Sequence, residues 1–179
     1  MTSVSPAPIL VPTPPLPETG EWFVLHTRSR QEKILAADLA AMSIGCYLPM
    51  IEHVRFYGRR KAQVELPLFA GYLFLRGSRE DAYRADRTKR VAQIIPVTDQ
   101  AKLTWELANI HLAVSARVPL DPYPYLTEGT RVEVRSGPFR GLQGIVEKRT
   151  RPTRLVLNVD ILGRAVSLEI DGSLLDPLE

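Results

Sequence analysis

Three histidines and one cysteine are the side chains of this 179-residue chain that nucleophilic or metal chemistry would call on first. His26, His53 and His111 stand far apart and lack metal-ligand spacing. Cys46 has no base near it in sequence, so a buried structural thiol is the expectation. There is no GxxxxGK[ST] phosphate loop, and no GxGxxG follows a strand-like run. Gly141-Leu-Gln-Gly144 has the spacing of the GxxG loop of RNA-binding KH domains, but it lies between strand-like segments, and a tight turn accounts for it. The chain is therefore expected to be no enzyme and to carry neither metal nor cofactor.

What remains is binding chemistry. Arg28, Arg30 and Lys33 gather at the start of one helical segment; Arg84, Arg87, Lys89 and Arg90 gather on and after another. On one face of a sheet the two groups would make a single basic patch, with phosphates taken by Arg and Lys and a base edge by Gln31. Glu80, Asp81 and Asp86 interrupt the second group, so a solvated helix face reads the same residues equally well. Net charge is +3 with pI near 9.2. Residues 21–114 carry 14 Lys/Arg against 10 Asp/Glu and residues 115–179 carry 9 against 9, so the basic excess sits in the N-terminal body. That is too mild for a protein that coats nucleic acid and compatible with a local contact.

The elements that must position these groups follow from hydrophobic patterning. Leu66–Leu75 is uncharged and holds Phe69, Tyr72 and Phe74; Pro67 and Gly71 punctuate it, so Gly71–Leu75 reads as a core strand entered through a constrained turn. Trp22–Leu25 suits a strand buried on both faces. A helix over Arg28–Met42 follows, with Ser29 as N-cap and Glu32 three residues on. Cys46–Leu48 is a strand; Val54–Phe56 and Ala62–Leu66 form a hairpin with its tip at Tyr57–Lys61. Glu80–Lys89 is a short helix, Val91–Pro96 a strand, and Lys102–Val114 a helix with Leu103, Leu107, Ile110 and Val114 on one stripe. The order is α+β: a split βαβ antiparallel sheet with helices packed on it over 21–114.

Six of the 15 prolines fall in residues 1–20, which read as a disordered tail. Residues 115–126, with Pro119, Pro122 and Pro124, read as a linker. From 127 to 179 short strand-like runs (Arg131–Arg135, Gln143–Lys148, Arg154–Asp160, Ala165–Ile170) with frequent turns suggest a small closed β-barrel. One cysteine, no long apolar stretch and no basic-then-apolar leader point to a cytoplasmic protein.

Two stretches together resemble the NusG family of transcription elongation factors. Trp22-Phe-Val-Leu with the helix after it, and Leu68-Phe-Ala-Gly-Tyr-Leu-Phe74, resemble its N-terminal (NGN) domain, with Ala70 where the family's F-P-G-Y motif has proline. Glu128-Gly129, Gly137-Pro-Phe-Arg-Gly-Leu-Gln-Gly-Ile-Val146 and Leu162–Ile170 resemble its KOW domain, a five-stranded barrel. The resemblance spans residues 21–179. It implies docking on the β′ clamp helices of RNA polymerase, and possible contact with the β subunit, through Phe69, Tyr72 and Phe74 with His26. It also implies that the KOW domain recruits Rho or a small-subunit ribosomal protein through Phe139 and Arg140. Arg28-Ser-Arg30-Gln31 and Cys46–Met50 resemble the operon-specific RfaH branch, implying that Arg28, Gln31, Arg84 and Arg90 touch the non-template DNA strand. In that branch the KOW segment refolds as an α-hairpin; here Val132, Val134, Ile145, Val146, Val156, Val159 and Ile161 favour strands. The expected protein is a monomer that binds no membrane, suppresses pausing at selected operons and belongs to transcription; the rival is a KOW-containing RNA-binding protein of the ribosome, which would need a larger basic excess.

Overall fold

A computed structural model describes residues 16–147 and 152–179. The N-terminal elements are β1 (Glu21–Thr27), α1 (Glu32–Ala41), β2 (Gly45–Tyr47), β3 (Met50–Tyr57), β4 (Arg60–Pro67), β5 (Tyr72–Gly77), α2 (Arg79–Asp86), β6 (Val91–Pro96) and α3 (Gln100–Ser115). Strands β2-β5-β1-β6 make one antiparallel sheet in that order. Each βαβ unit is split by a third strand, as the segment order predicts. Its two faces follow from strand alternation. Phe23 and Leu25, opposite Leu75 and Leu73, meet Leu35 and Leu39 of α1 and Ala82 and Ala85 of α2 in one core. Trp22, Val24 and Phe74 face the other way and join Leu103, Leu107 and Ile110 of α3. Leu25, Leu35, Leu39, Leu73 and Leu107 are fully buried, each contributing about 1.5–3 kcal/mol.

Several boundaries differ from the sequence expectation, each for a local reason. Helix α1 begins at Glu32 and not at Arg28, and Ser29 is not its cap. Arg30 sits at φ 60°, a left-handed conformation that cannot continue into a helix, and the Gln31 N–H closes a turn onto the Arg28 carbonyl at 3.1 Å. Helix α2 is capped reciprocally by Ser78 and Asp81. It stops at Asp86, because Thr88 Oγ1 donates to the Ala85 carbonyl at 2.7 Å and Lys89 turns to φ 62°. The hairpin is longer than expected at both ends and pairs with no other strand among the described residues.

Residues 1–15 of the expected tail lie outside the described residues. Residues 16–20 are held: Leu16 packs against the core, and Arg76 donates to the Pro17 and Gly20 carbonyls at 2.7 and 3.1 Å. The expected linker over 115–126 is also corrected. It buries Leu120 and contains β7 (Asp121–Tyr123). Pro122 is tolerated there because β7 is an edge strand.

The C-terminal strands are β8 (Thr130–Val134), β9 (Gln143–Val146), β10 (Arg154–Val159), β11 (Arg164–Glu169) and β12 (Leu175–Pro177). With β7 they form a six-stranded antiparallel sheet ordered β12-β8-β9-β10-β11-β7. Among the described residues the pairing runs from edge to edge without joining β12 to β7, so closure of the expected barrel is not part of this pairing. Gly163 at φ 59° ends the 3-10 turn Asp160–Leu162 and lets β10 fold back on β11. The expected turn around Pro152 lies partly outside the described residues. Helix α3 lies between the two sheets, with its other flank on β10.

Candidate functional site

The turn Phe69-Ala-Gly-Tyr72 is the point on which the site is built. Gly71 takes φ 87°, a conformation glycine reaches without a Cβ penalty, and the Tyr72 N–H closes the turn on the Phe69 carbonyl at 3.1 Å. Both backbone polar groups of Gly71 are used. Its carbonyl accepts from Thr27 N–H at the end of β1, and its N–H donates to Glu32 Oε1, each at 2.8 Å. Glu32 is buried although it opens a helix. The turn is thus tied to the end of one strand and the start of the next helix.

This linkage stacks His26 on Tyr72, rings 5.1 Å apart and 21° from parallel, on the α3 face of the sheet, where the central strand β1 ends and its neighbour β5 begins. Of the four aromatic residues expected at a polymerase contact, these two are half-exposed. Phe69 is 3% exposed and packs edge-on against Phe74 at 6.4 Å. Phe74 is fully buried and offers no surface, because its position on β5 aims it at α3. Arg164 of β11 reaches across to this pair, its guanidinium 5.0 Å from the centre of the Tyr72 ring.

The expected basic patch separates into two parts. Arg90 donates to Asp38 Oδ2 and to Gln31 Oε1, both at 2.7 Å, and its carbonyl accepts from Arg28 N–H at 2.9 Å. Arg28, Arg30, Gln31 and Arg90 therefore meet where β1 ends and β6 begins, with Arg28 and Arg30 exposed. Lys89 lies next to Arg90 in the chain. Arg84 and Arg87 lie on the α2 side and face carboxylates, Arg84 to Asp81 at 3.5 Å and Arg87 to Glu80 at 3.7 Å, so the structure does not bring them into the same polar cluster. In the C-terminal sheet, Phe139 is half-buried and Arg140 exposed in the turn between β8 and β9, which the Gly141 N–H closes onto the Val134 carbonyl at 2.8 Å. Cys46 is half-buried, and burial pushes its thiol pKa up, against the thiolate.

Sequence reasoning missed Glu32, Arg164 and the polar flank of α3. On that flank Glu106 accepts from the Asp160 N–H at 3.2 and 3.3 Å, Lys102 pairs with Asp160, and Asn109 Oδ1 accepts from Gln143 N–H at 2.9 Å. The spacing 102, 106, 109 was the available signal. Burial raises the Glu106 carboxyl pKa to about 7, with Lys102 opposing and Asp99 adding to the rise. Among the described residues no group of three or more His, Cys, Asp and Glu is placed to hold a metal, and no helix is long and apolar enough to cross a membrane.

Residues 20–108, running from the strand that opens the sheet to the middle of α3, match the NusG family model, described as transcription termination factor nusG, and this part of the chain is a domain of that family.

Proposed function

We propose that the protein is a non-enzymatic transcription elongation and antitermination factor that engages RNA polymerase through the surface holding His26 and Tyr72. The observation that carries this reading is the pairing of a NusG-family domain with a half-exposed His26–Tyr72 stack. An amphipathic aromatic pair at the end of two central strands suits an interface that must be wet when free and dry when bound. The β′ clamp helices are the partner, with the β subunit nearby.

The second contact is the exposed non-template DNA strand. Gln31 is held by Arg90 with its amide end oriented, while Arg28 and Arg30 are exposed and can take phosphates. Phosphate contacts give affinity and the oriented amide gives preference among sequences, which suits a specialised, RfaH-like member acting at selected operons. The C-terminal sheet acts as the KOW module, and Phe139 and Arg140 present its contact to Rho or to a small-subunit ribosomal protein.

Binding of the full chain to polymerase core enzyme, with and without a scaffold carrying a single-stranded non-template segment, tests this. Tyr72→Ala is expected to weaken core binding about tenfold while leaving the melting curve within a few degrees. Unchanged affinity removes the stack from the interface, and no binding by the wild type in either format removes the reading.

A further inference from the structure

Neither the His26–Tyr72 pair nor the Arg28–Gln31–Arg90 cluster uses the β3–β4 hairpin. Eight residues in each strand give it a length of roughly 25 Å, and among the described residues it pairs only with itself. Its base is anchored: Lys33 Nζ donates to the Glu65 carbonyl and Leu68 N–H to the Pro49 carbonyl, at 2.5 and 2.8 Å. Charge is sorted along its length. Both carboxylates, Glu52 and Glu65, face each other across the base. The outer part, residues 53–64, holds Arg55, Arg59, Arg60 and Lys61 and no acid. Among the described residues none of these four cations has an ion-pair partner.

The end also exposes two aromatic rings, Phe56 at 71% and Tyr57 at 60%. Register places Phe56 opposite Lys61 and Tyr57 opposite Arg60. Directly opposed residues of an antiparallel pair share a face, and neighbours along a strand lie on opposite faces. Each face of the ribbon therefore ends in one ring beside one cation. Exposed rings so placed do nothing for the core, and they cannot be covered by a further strand without burying unpaired charge.

We propose that this ribbon is a second nucleic-acid contact, separate from the Arg28–Gln31–Arg90 cluster, and that its ligand is single-stranded. The rings need an unstacked base to lie on, and the cations need phosphates on either side of it. An intact duplex offers the phosphates but keeps its bases stacked on one another. The inference does not depend on the polymerase reading, because it is tested on nucleic acid alone.

The test is fluorescence anisotropy with a labelled oligothymidine of about 20 nucleotides, long enough for one binding module, and the same strand in duplex form, using the full chain. The double variant Phe56→Ser, Tyr57→Ser is expected to weaken single-strand binding about tenfold, in line with the loss of stacking, and to leave duplex binding nearly unchanged. The triple variant Arg59→Gln, Arg60→Gln, Lys61→Gln is expected to make the slope of log affinity against log salt shallower by about 0.7 for each phosphate that is no longer neutralised. Both sets of positions lie beyond the packed cores, and a circular dichroism melt checks that each variant folds. Equal losses on single strand and duplex, or unchanged single-strand affinity in the aromatic variant, overturn the proposal. Unchanged oligonucleotide binding together with weakened polymerase binding overturns it in favour of a protein partner.

Discussion

Glu106 gives the chain a proton balance whose sign is opposite to that of an ordinary carboxylate. It is 4% exposed on the flank of α3 that meets the C-terminal sheet, and burial lifts its pKa from 4.5 to about 7. A carboxyl group with a raised folded pKa takes up a proton on folding, so stability is full below pH 4.5 and falls as pH rises towards 7; above 7 it no longer changes on this account. The rise of about 2.5 units corresponds to at most about 3 kcal/mol. The opposing charge of Lys102, which pairs with Asp160 of the same turn, is already contained in that net rise. Glu106→Gln keeps an oxygen to accept the Asp160 N–H and removes the titration. Urea unfolding of both proteins at pH 5, 6, 7 and 8 is the assay, and the difference between them cancels the histidines common to both. The variant is expected to gain on the wild type as pH rises from 5 to 7 and to keep a lead of about 1–3 kcal/mol at pH 8. A difference that stays flat across the range, or one that moves in favour of the wild type as pH rises, refutes the argument that burial dominates this carboxyl.

Two further outcomes are expected. Glu32→Ala leaves the Gly71 N–H without its partner and is expected to cost about 1–3 kcal/mol in urea unfolding; Glu32→Gln, which retains an acceptor, should lose less than half as much, and equal losses would show that the residue matters through packing alone. Arg164→Ala removes the cation lying on Tyr72, worth about 0.5–1 kcal/mol at an exposed site, so polymerase core affinity is expected to rise roughly two- to fivefold, whereas a fall would show that Arg164 itself belongs to the interface.

The apolar half of this architecture is legible in the chain, and most of the polar half is not. Trp22–Leu25 announces a strand buried on both faces, and Leu103, Leu107 and Ile110 announce the packed stripe of α3, because burial of large side chains at a fixed period leaves a direct trace. Val91–Pro96 is recovered to the residue. The start of α1 is misread because Ser29 and Glu32 carry the capping pattern, yet Arg30 adopts a left-handed conformation and Glu32 turns to the Gly71 amide instead of a helix cap. Phe74 is misplaced for a different reason. Tyr72 and Phe74, two apart on β5, share the face that meets α3, and the sequence does not say that packing there buries Phe74 completely and leaves Tyr72 half-exposed. The Gln31–Arg90 hydrogen bond joins residues 59 apart, a separation that no local pattern reports.

The two flanks of α3 differ in chemistry. Towards the first sheet it presents Leu103, Leu107 and Ile110, all but dry. Towards the second it presents Lys102, Trp105, Glu106 and Asn109, which make hydrogen bonds and an ion pair with Asp160 and Gln143. An apolar seam loses its whole burial energy when opened, whereas polar groups regain water, so hydrogen bonds across such a seam contribute only about 0.5–1.5 kcal/mol each. Leu103, Leu107 and Ile110 also share one buried cluster with Leu142, Leu155 and Leu157 of the C-terminal part, so the helix is packed by apolar contact into both sheets and the polar contacts line one flank of that shared core. Arg164, which covers the Tyr72 ring, belongs to that C-terminal sheet. The packing of the C-terminal sheet on α3 and the cation over Tyr72 are thus two contacts of one sheet with the N-terminal part of the molecule.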